Sequence, residues 1–134
     1  MTLAELRTDA VIIACAISAG IHGALAPDHF REATGAGVGF VVATVLLGVL
    51  AVFLTREPTQ LALLATMAVF TGLIVSYAFA VTTGVPVLHP DREAVDGLAL
   101  FTKAIEVAGL VLAAGLLRRP VLAVSLGQLK GRLA

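Results

Sequence analysis

The stretch HGALAPDHFRE, residues 22–32, sets two histidines, two acids and an arginine into a chain that is 59% hydrophobic. Imidazole changes charge near neutral pH and ligates transition metals, and a carboxylate can hold its second ring nitrogen or join it on the ion. The third histidine, His89, precedes Asp91 in HPDREAVDGLA. His22, His29, Glu32, His89 and Asp91 are therefore candidate metal ligands, suited to Cu, Zn or Fe. A second group lies in LALFTKAIEVAGLVL, where Lys103 and Glu106 stand one turn apart in an otherwise apolar run. A charge inside a membrane costs at least ~2.5 to 3.5 kcal/mol, so it is normally paired and turned toward the bundle interior or a wet cavity.

Depth connects the two groups. At 1.5 Å per residue, Lys103 lies ~9 Å and Glu106 ~13 Å below Gly97, while His22 lies ~6 Å below the end of its own apolar run. Ser18, one turn deeper than His22, and Ser76, Tyr77, Thr82 and Thr83 fall in the same half of the membrane, and together they can line one polar pocket with Glu106 at its floor. Each residue also has a plainer role. Lys103 and Glu106 can neutralise each other at i,i+3, the loop acids can cap helices, and hydroxyls in lipid often bond the preceding backbone turn. His22 and His29 are seven residues apart, ~10.5 Å on a straight helix, too far to share an ion. A break at Pro27 would fold His29 back over His22. Without one, His22 belongs with Glu106, and His29 joins His89 at the surface. His29 and Glu32 share a face if residues 27–34 are helical, and His89 is expected beside Asp91.

The elements that must position these residues follow from composition. With 13% charged residues, a mean hydropathy of +1.02 and no Trp, the 134 residues belong in a membrane, since a soluble domain carries about a quarter charged residues. Four stretches are long enough to cross a hydrocarbon core of ~30 Å: 10–26, 35–55, 61–85 and 97–117. The expected architecture is all-α, a single four-transmembrane-helix bundle over residues 1–134. A signal peptide cleaved after Ala24-Leu25-Ala26 is set aside, because Pro27 would follow the cut and the preceding charges are mixed. Net charge is zero, so no basic surface argues for nucleic acid. The lone Cys15 allows no internal disulfide and no CxxC site, and reads as apolar filler.

Arg7, Arg56, Arg118, Arg119, Lys130 and Arg132 lie on one side of the spans and only Arg31 and Arg92 on the other. This bias predicts cytoplasmic termini and an outward-facing site, at the periplasm or exterior. The tail RRPVLAVSLGQLKGRLA reads as a short interfacial helix. Both outer loops carry Pro-Asp, then Arg-Glu-Ala, then a Gly, in APDHFREATGAG and HPDREAVDGLA. A duplicated helix hairpin related by an axis along the membrane normal would produce this, and so would helix-start chemistry in each loop. Gly35, Gly37 and Gly39, with Gly109, Ala113 and Gly115, offer small faces for close packing, within the chain or in a homo-oligomer.

At IHGALAPDHFRE, followed by TTGVPVLHPDREAVDGLALFTKAIE, the chain resembles small four-helix bacterial integral membrane proteins of unassigned function. These pair an IHxAxAPxHxxE segment with a later Gly-x-Pro, an Asp and a Glu in the last helix. The likeness covers both outer loops and their flanking helices, about half of the chain. It implies the four-helix fold and singles out His22, His29, Glu32, Asp96 and Glu106, so that Asp96 joins the pocket set. It implies no activity.

Three functions fit. The first is metal binding or handling at the outer face, or a small subunit of a membrane redox complex. The second is a proton-coupled carrier using Glu106 and Lys103, against which the cytoplasmic half shows almost no polar side chains. The third is an accessory subunit whose polar cluster only fixes helix packing. A haem on two axial histidines is disfavoured, because the histidines lie in loops or near helix ends and aromatic residues are sparse. No nucleophile–base pair and no Gly-rich phosphate loop is evident, and the spacing contains no HExxH.

Overall fold

A computed structural model describes residues 1–117; the tail read as an interfacial helix lies outside the described residues. Four helices follow in order: α1 (Leu3–Glu32), α2 (Thr34–Arg56), α3 (Gln60–Thr82) and α4 (Gly97–Leu116). Each is long and apolar enough to cross a membrane, which fits a multi-pass membrane protein. Adjacent helices pack in a ring, with α1 against α2 and α4, and α3 against α4 and, least of all, α2.

Local chemistry sets the ends. Thr2 and Glu5 form a capping box at the start of α1: the Thr2 hydroxyl accepts from the Glu5 N–H at 3.1 Å while the Glu5 carboxylate accepts from the Thr2 N–H at 2.5 Å. Two of the four orphan donors of the helix start are thereby satisfied. Thr59 caps α3 and Asp96 caps α4, each accepting an N–H three residues on. The helix α1 does not break at Pro27 but runs six residues past the expected span end at 26 to Glu32, where Ala33 turns extended. Proline removes one donor from the ladder, and here the loss falls in the last two turns, near the end of the helix. Thirty residues make ~45 Å of helix, longer than a ~30 Å core, which leaves room for the charged last turns with Asp28, His29, Arg31 and Glu32 outside the hydrocarbon.

The third span stops at Thr82, earlier than the expected end at 85, because Gly84 adopts φ 75°. A β-carbon at Gly84 would lie 2.1 Å from the Pro90 carbonyl oxygen, so only glycine fits this turn. The loop that follows is held by backbone bonds. Val85 and His89 exchange N–H···O bonds at 2.7 and 2.8 Å, and the Glu93 N–H donates to the Ala80 carbonyl at 2.9 Å. Val87, at the tip, takes φ 70°, a conformation that strains a β-branched residue. The Pro-Asp pairs of the two loops thus sit in different structure, Pro27-Asp28 within α1 and Pro90-Asp91 in the non-helical loop.

Packing divides the bundle into halves. Toward the start of α1 and the end of α4 the core is apolar but for Thr66, with Val11, Cys15, Leu47, Leu54, Leu63, Phe70 and Ala113 almost wholly buried. The close approach of α3 to α4 depends on Gly109, where a β-carbon would lie 2.5 Å from the Phe70 ring. Toward the loops at 33 and 83–96 the buried side chains are either polar, Ser18, His22, Thr102 and Glu106, or small, Ala26, Ala36 and Ala80. The outer surface is apolar, with Val45, Phe53, Phe79, Phe101 and Val111 all more than half exposed, as lipid contact requires.

Candidate functional site

The floor of the polar half is Glu106, with no exposed surface. Three side chains from two helices converge on it. The Ser18 hydroxyl donates to Oε1 at 2.8 Å, Lys103 Nζ donates to Oε2 at 2.5 Å, and His22 Nε2 stands 3.9 Å from Oε1. Ser18, His22 and Glu106 face one another because α1 presents residues 18 and 22 one turn apart on the side packed against α4. Lys103, 16% exposed at its side chain, lies with its ammonium 5.5 Å from the centre of the Tyr77 ring, a cation–π distance. The serine proton goes to the carboxylate, and His22 Nδ1 is spent on the Ser18 carbonyl at 2.8 Å. That is not the wiring of a nucleophile and its base, which needs the hydroxyl to give its proton to the histidine.

Above this floor the two remaining histidines pair across the loops. His29 Nε2 lies 3.6 Å from Glu93, and His89 Nε2 lies 3.4 Å from Glu32. Sequence reasoning expects His29 with Glu32 and His89 with Asp91; the structure exchanges the partners. The unbroken course of α1 and the turn at Gly84 lay the 83–96 loop over the end of α1, so each histidine meets the other segment's glutamate. Asp91 contributes its backbone carbonyl, which accepts from His89 Nδ1 at 2.8 Å, while the Asp91 residue itself is exposed. Asp28 pairs with Arg31 on the exposed face at 2.6 Å. Glu93 was not among the expected ligands, although its alignment with Glu32 in the Arg-Glu-Ala match marked it.

All three histidines share one arrangement. In each, Nδ1 meets a backbone carbonyl, that of Ser18 for His22, Leu25 for His29 and Asp91 for His89, at 2.8, 3.0 and 2.8 Å. A carbonyl can only accept, so Nδ1 carries the proton and Nε2 is the nitrogen turned toward a carboxylate. A bare Nε2 lone pair facing a carboxylate repels it; the contact is favourable only when a proton or another cation lies between. For His89 the Asp91 carbonyl, followed by the charges of Glu93 and Glu32, raises the pKa above the ordinary histidine value against an opposing desolvation. Phe40 of α2 links the upper and lower levels: its ring stacks on His29 at 3.7 Å and tilts against His22 at 5.0 Å between centroids.

Among the described residues, no three His, Cys, Asp or Glu side chains meet around one point at metal-ligand spacing. His22 is down beside Glu106, and His29, Glu32, His89 and Glu93 form two neighbouring pairs. A cavity of about 280 Å³ lies between the levels, bordered by His22, His29, Tyr77, His89 and Lys103 among others. Ser76 and Asp96 also border it, whereas Thr82 and Thr83 are exposed and bond backbone carbonyls. Among the described residues, the buried Tyr77 hydroxyl has no hydrogen-bond partner. No protein-family model, no curated protein and no solved structure matches the chain.

Proposed function

We propose that this chain binds a divalent transition-metal ion, Cu, Zn or Fe, at an outward-facing mouth formed by His29, Glu32, His89 and Glu93. The observation that carries the reading is the common histidine arrangement: Nδ1–H is locked on a carbonyl, which is how metal-ligating histidines are usually oriented. The free Nε2 faces a carboxylate at 3.4 and 3.6 Å in the two pairs. Two ligand atoms ~2.0 to 2.1 Å from a tetrahedral ion are ~3.3 Å apart, so each pair already spans one edge of such a site. His29 and Glu32 are one helical turn apart on α1, which sets the two edges side by side. The excess of Arg and Lys on the opposite side supports an external mouth, and the crossed pairing of one loop's histidine with the other's glutamate is what a duplicated hairpin would create.

The test is elemental analysis of tag-free protein offered Cu, Zn and Fe in turn and then dialysed. One metal is expected at near one ion per chain, with retention reduced at least tenfold in His29→Ala, His89→Ala and Glu93→Gln and unchanged in Cys15→Ala. Wild-type protein that retains none of the three metals removes the reading.

A second reading rests on the lower cluster. Glu106, His22 and Lys103 lie below the mouth pairs, with Phe40 between, so that a proton taken up at the mouth can be held at Glu106. In this reading the chain is a proton-linked carrier, and Glu106 is its essential group. Substituting Glu106 would then abolish proton uptake into vesicles while leaving metal retention intact.

A further inference from the structure

The cavity between the two levels has a definite origin. On α2 the residues bordering it are Gly35, Ala36, Gly39 and Phe40, and across from them α3 presents Leu73, Ser76, Tyr77 and Ala80. Gly39 leaves the space beside it unfilled, since among the described residues nothing lies within 4 Å of where its β-carbon would be, whereas a β-carbon at Gly35 would lie 2.8 Å from the Leu88 Cα. Gly39 and Ser76 are both exposed and both border the space. They belong to α2 and α3, the adjacent helices that touch least, so the cavity opens sideways at membrane depth.

The charges on its α4 side are already matched: Lys103 is held by Glu106, and Asp96 caps the first turn of α4. The Tyr77 hydroxyl is different: among the described residues it is the buried side-chain polar atom that has no partner. Leaving such a group unmade costs ~1 to 3 kcal/mol, and orphaned polar atoms in native structures call for an explanation. A charged ligand would upset paired charges at low dielectric, while an uncharged one with a single oxygen acceptor completes the site. At about 280 Å³ the space is at the lower end of small-ligand pockets, which run ~300 to 1,000 Å³. A single ring with short substituents fills it, flanked by Phe40 and Tyr77.

We propose that the cavity is a binding site for an uncharged, lipid-soluble ring carbonyl compound of the quinone class, which enters between α2 and α3 and accepts a hydrogen bond from Tyr77. The cavity shares His29, His89 and Glu93 with the metal mouth, but its hydrogen-bond donor, Tyr77, is not one of the proposed metal ligands, and the test below is run on metal-free protein.

The chain has one Tyr and no Trp, so its ultraviolet fluorescence reports Tyr77 alone. Full-length protein in dodecylmaltoside micelles, stripped of metal with a chelator, is titrated with tetramethyl-1,4-benzoquinone, whose fully substituted ring resists addition of the Cys15 thiol. Saturable quenching is expected, at concentrations where a free tyrosine ester in the same micelles is quenched only linearly. Equilibrium dialysis, which needs no fluorophore, should show affinity weakened about three- to tenfold in Tyr77→Phe, the loss of one hydrogen bond. Gly39→Leu should abolish binding by filling the cavity. Linear quenching in the wild type, or undiminished binding in Tyr77→Phe, overturns the proposal. Tyr77→Phe removes only an unpartnered oxygen, so the folded variant is available even if Gly39→Leu does not assemble; if Gly39→Leu folds and binds as the wild type does, the ligand lies elsewhere and the proposal is equally overturned.

Discussion

Replacing Glu106 and Lys103, singly and together, separates a balancing pair from a working site. Glu106→Leu leaves the Lys103 ammonium, mostly buried at its side chain, without its carboxylate, and leaves the Ser18 hydroxyl without its acceptor. Removing one partner of a buried ion pair costs ~3 to 5 kcal/mol. Lys103→Leu should cost somewhat less, because Ser18 still donates to Glu106. The double variant should return to within ~1 kcal/mol of wild type, since apolar replacement of a buried pair is often neutral or stabilising and Ser18 can turn to a backbone carbonyl one turn back. The coupling between the two substitutions is then ~3 kcal/mol or more, at the upper end for residues in contact. Reversible unfolding in mixed dodecylmaltoside–SDS micelles, followed by circular dichroism, measures all three. Additivity within ~0.5 kcal/mol would refute the coupled placement of Lys103 and Glu106. A stable double variant that has also lost proton uptake identifies Glu106 as a working group and not only a counter-charge.

Topology is checked by labelling: a cysteine at exposed Thr34 should react with an impermeant maleimide on intact cells and one at exposed Glu57 should not, with buried Cys15 contributing no background. The reverse pattern would put the mouth on the cytoplasmic face. The raised pKa of His89 makes its stabilisation largest below the unfolded histidine value, ~6.5, and lost as pH rises through the higher folded value. Accordingly, His89→Gln should destabilise the protein at pH 5.5 and have little effect at pH 8.5 in the same unfolding assay; an equal loss at both would exclude a charged His89 as the cause. Gly84→Ala should cost at least ~1 to 3 kcal/mol, because its φ of 75° is strained for any side chain, and should reduce metal retention along with stability; retention unchanged in the folded variant would mean that the loop does not set the mouth.

The apolar runs alone locate the four helices, because a continuous stretch of ~20 apolar residues has few alternatives in lipid. The lower cluster is equally legible: rise per residue puts His22, Lys103 and Glu106 in the same half of the membrane, and an ionisable residue there must find a partner. The mouth is not, because its pairs depend on two backbone events that hydropathy does not register. One is that α1 passes Pro27 unbroken, where the local rule favours a kink. The other is the 83–96 loop, whose course is set by the left-handed Gly84, the Val85–His89 bridge and the Glu93-to-Ala80 bond. A spacing argument along one chain segment pairs near neighbours, so it joins His29 to Glu32 and misses Glu93. The cavity was invisible for a related reason: Gly35 and Gly39 read as a helix-packing face, and only the position of α3 shows that nothing packs on Gly39.

The unequal halves of the bundle bear on which of these chemistries the fold can support. A solute or proton that reaches Glu106 from the mouth meets, on the other side, Val11, Cys15, Phe70 and Ala113, a close-packed apolar layer sealed by the contact of Phe70 with Gly109. Carrying a charge through that layer without partners would cost tens of kcal/mol by solvation alone. Passage would therefore require α3 and α4 to separate at Gly109, whose small size is what brings them together. Capture and release through one mouth requires no such separation. The arrangement of the described residues thus favours binding over conduction. A carrier role would demand a second conformation in which Phe70 leaves Gly109, and a cross-link between cysteines introduced at those two positions would block it while leaving binding at the mouth untouched.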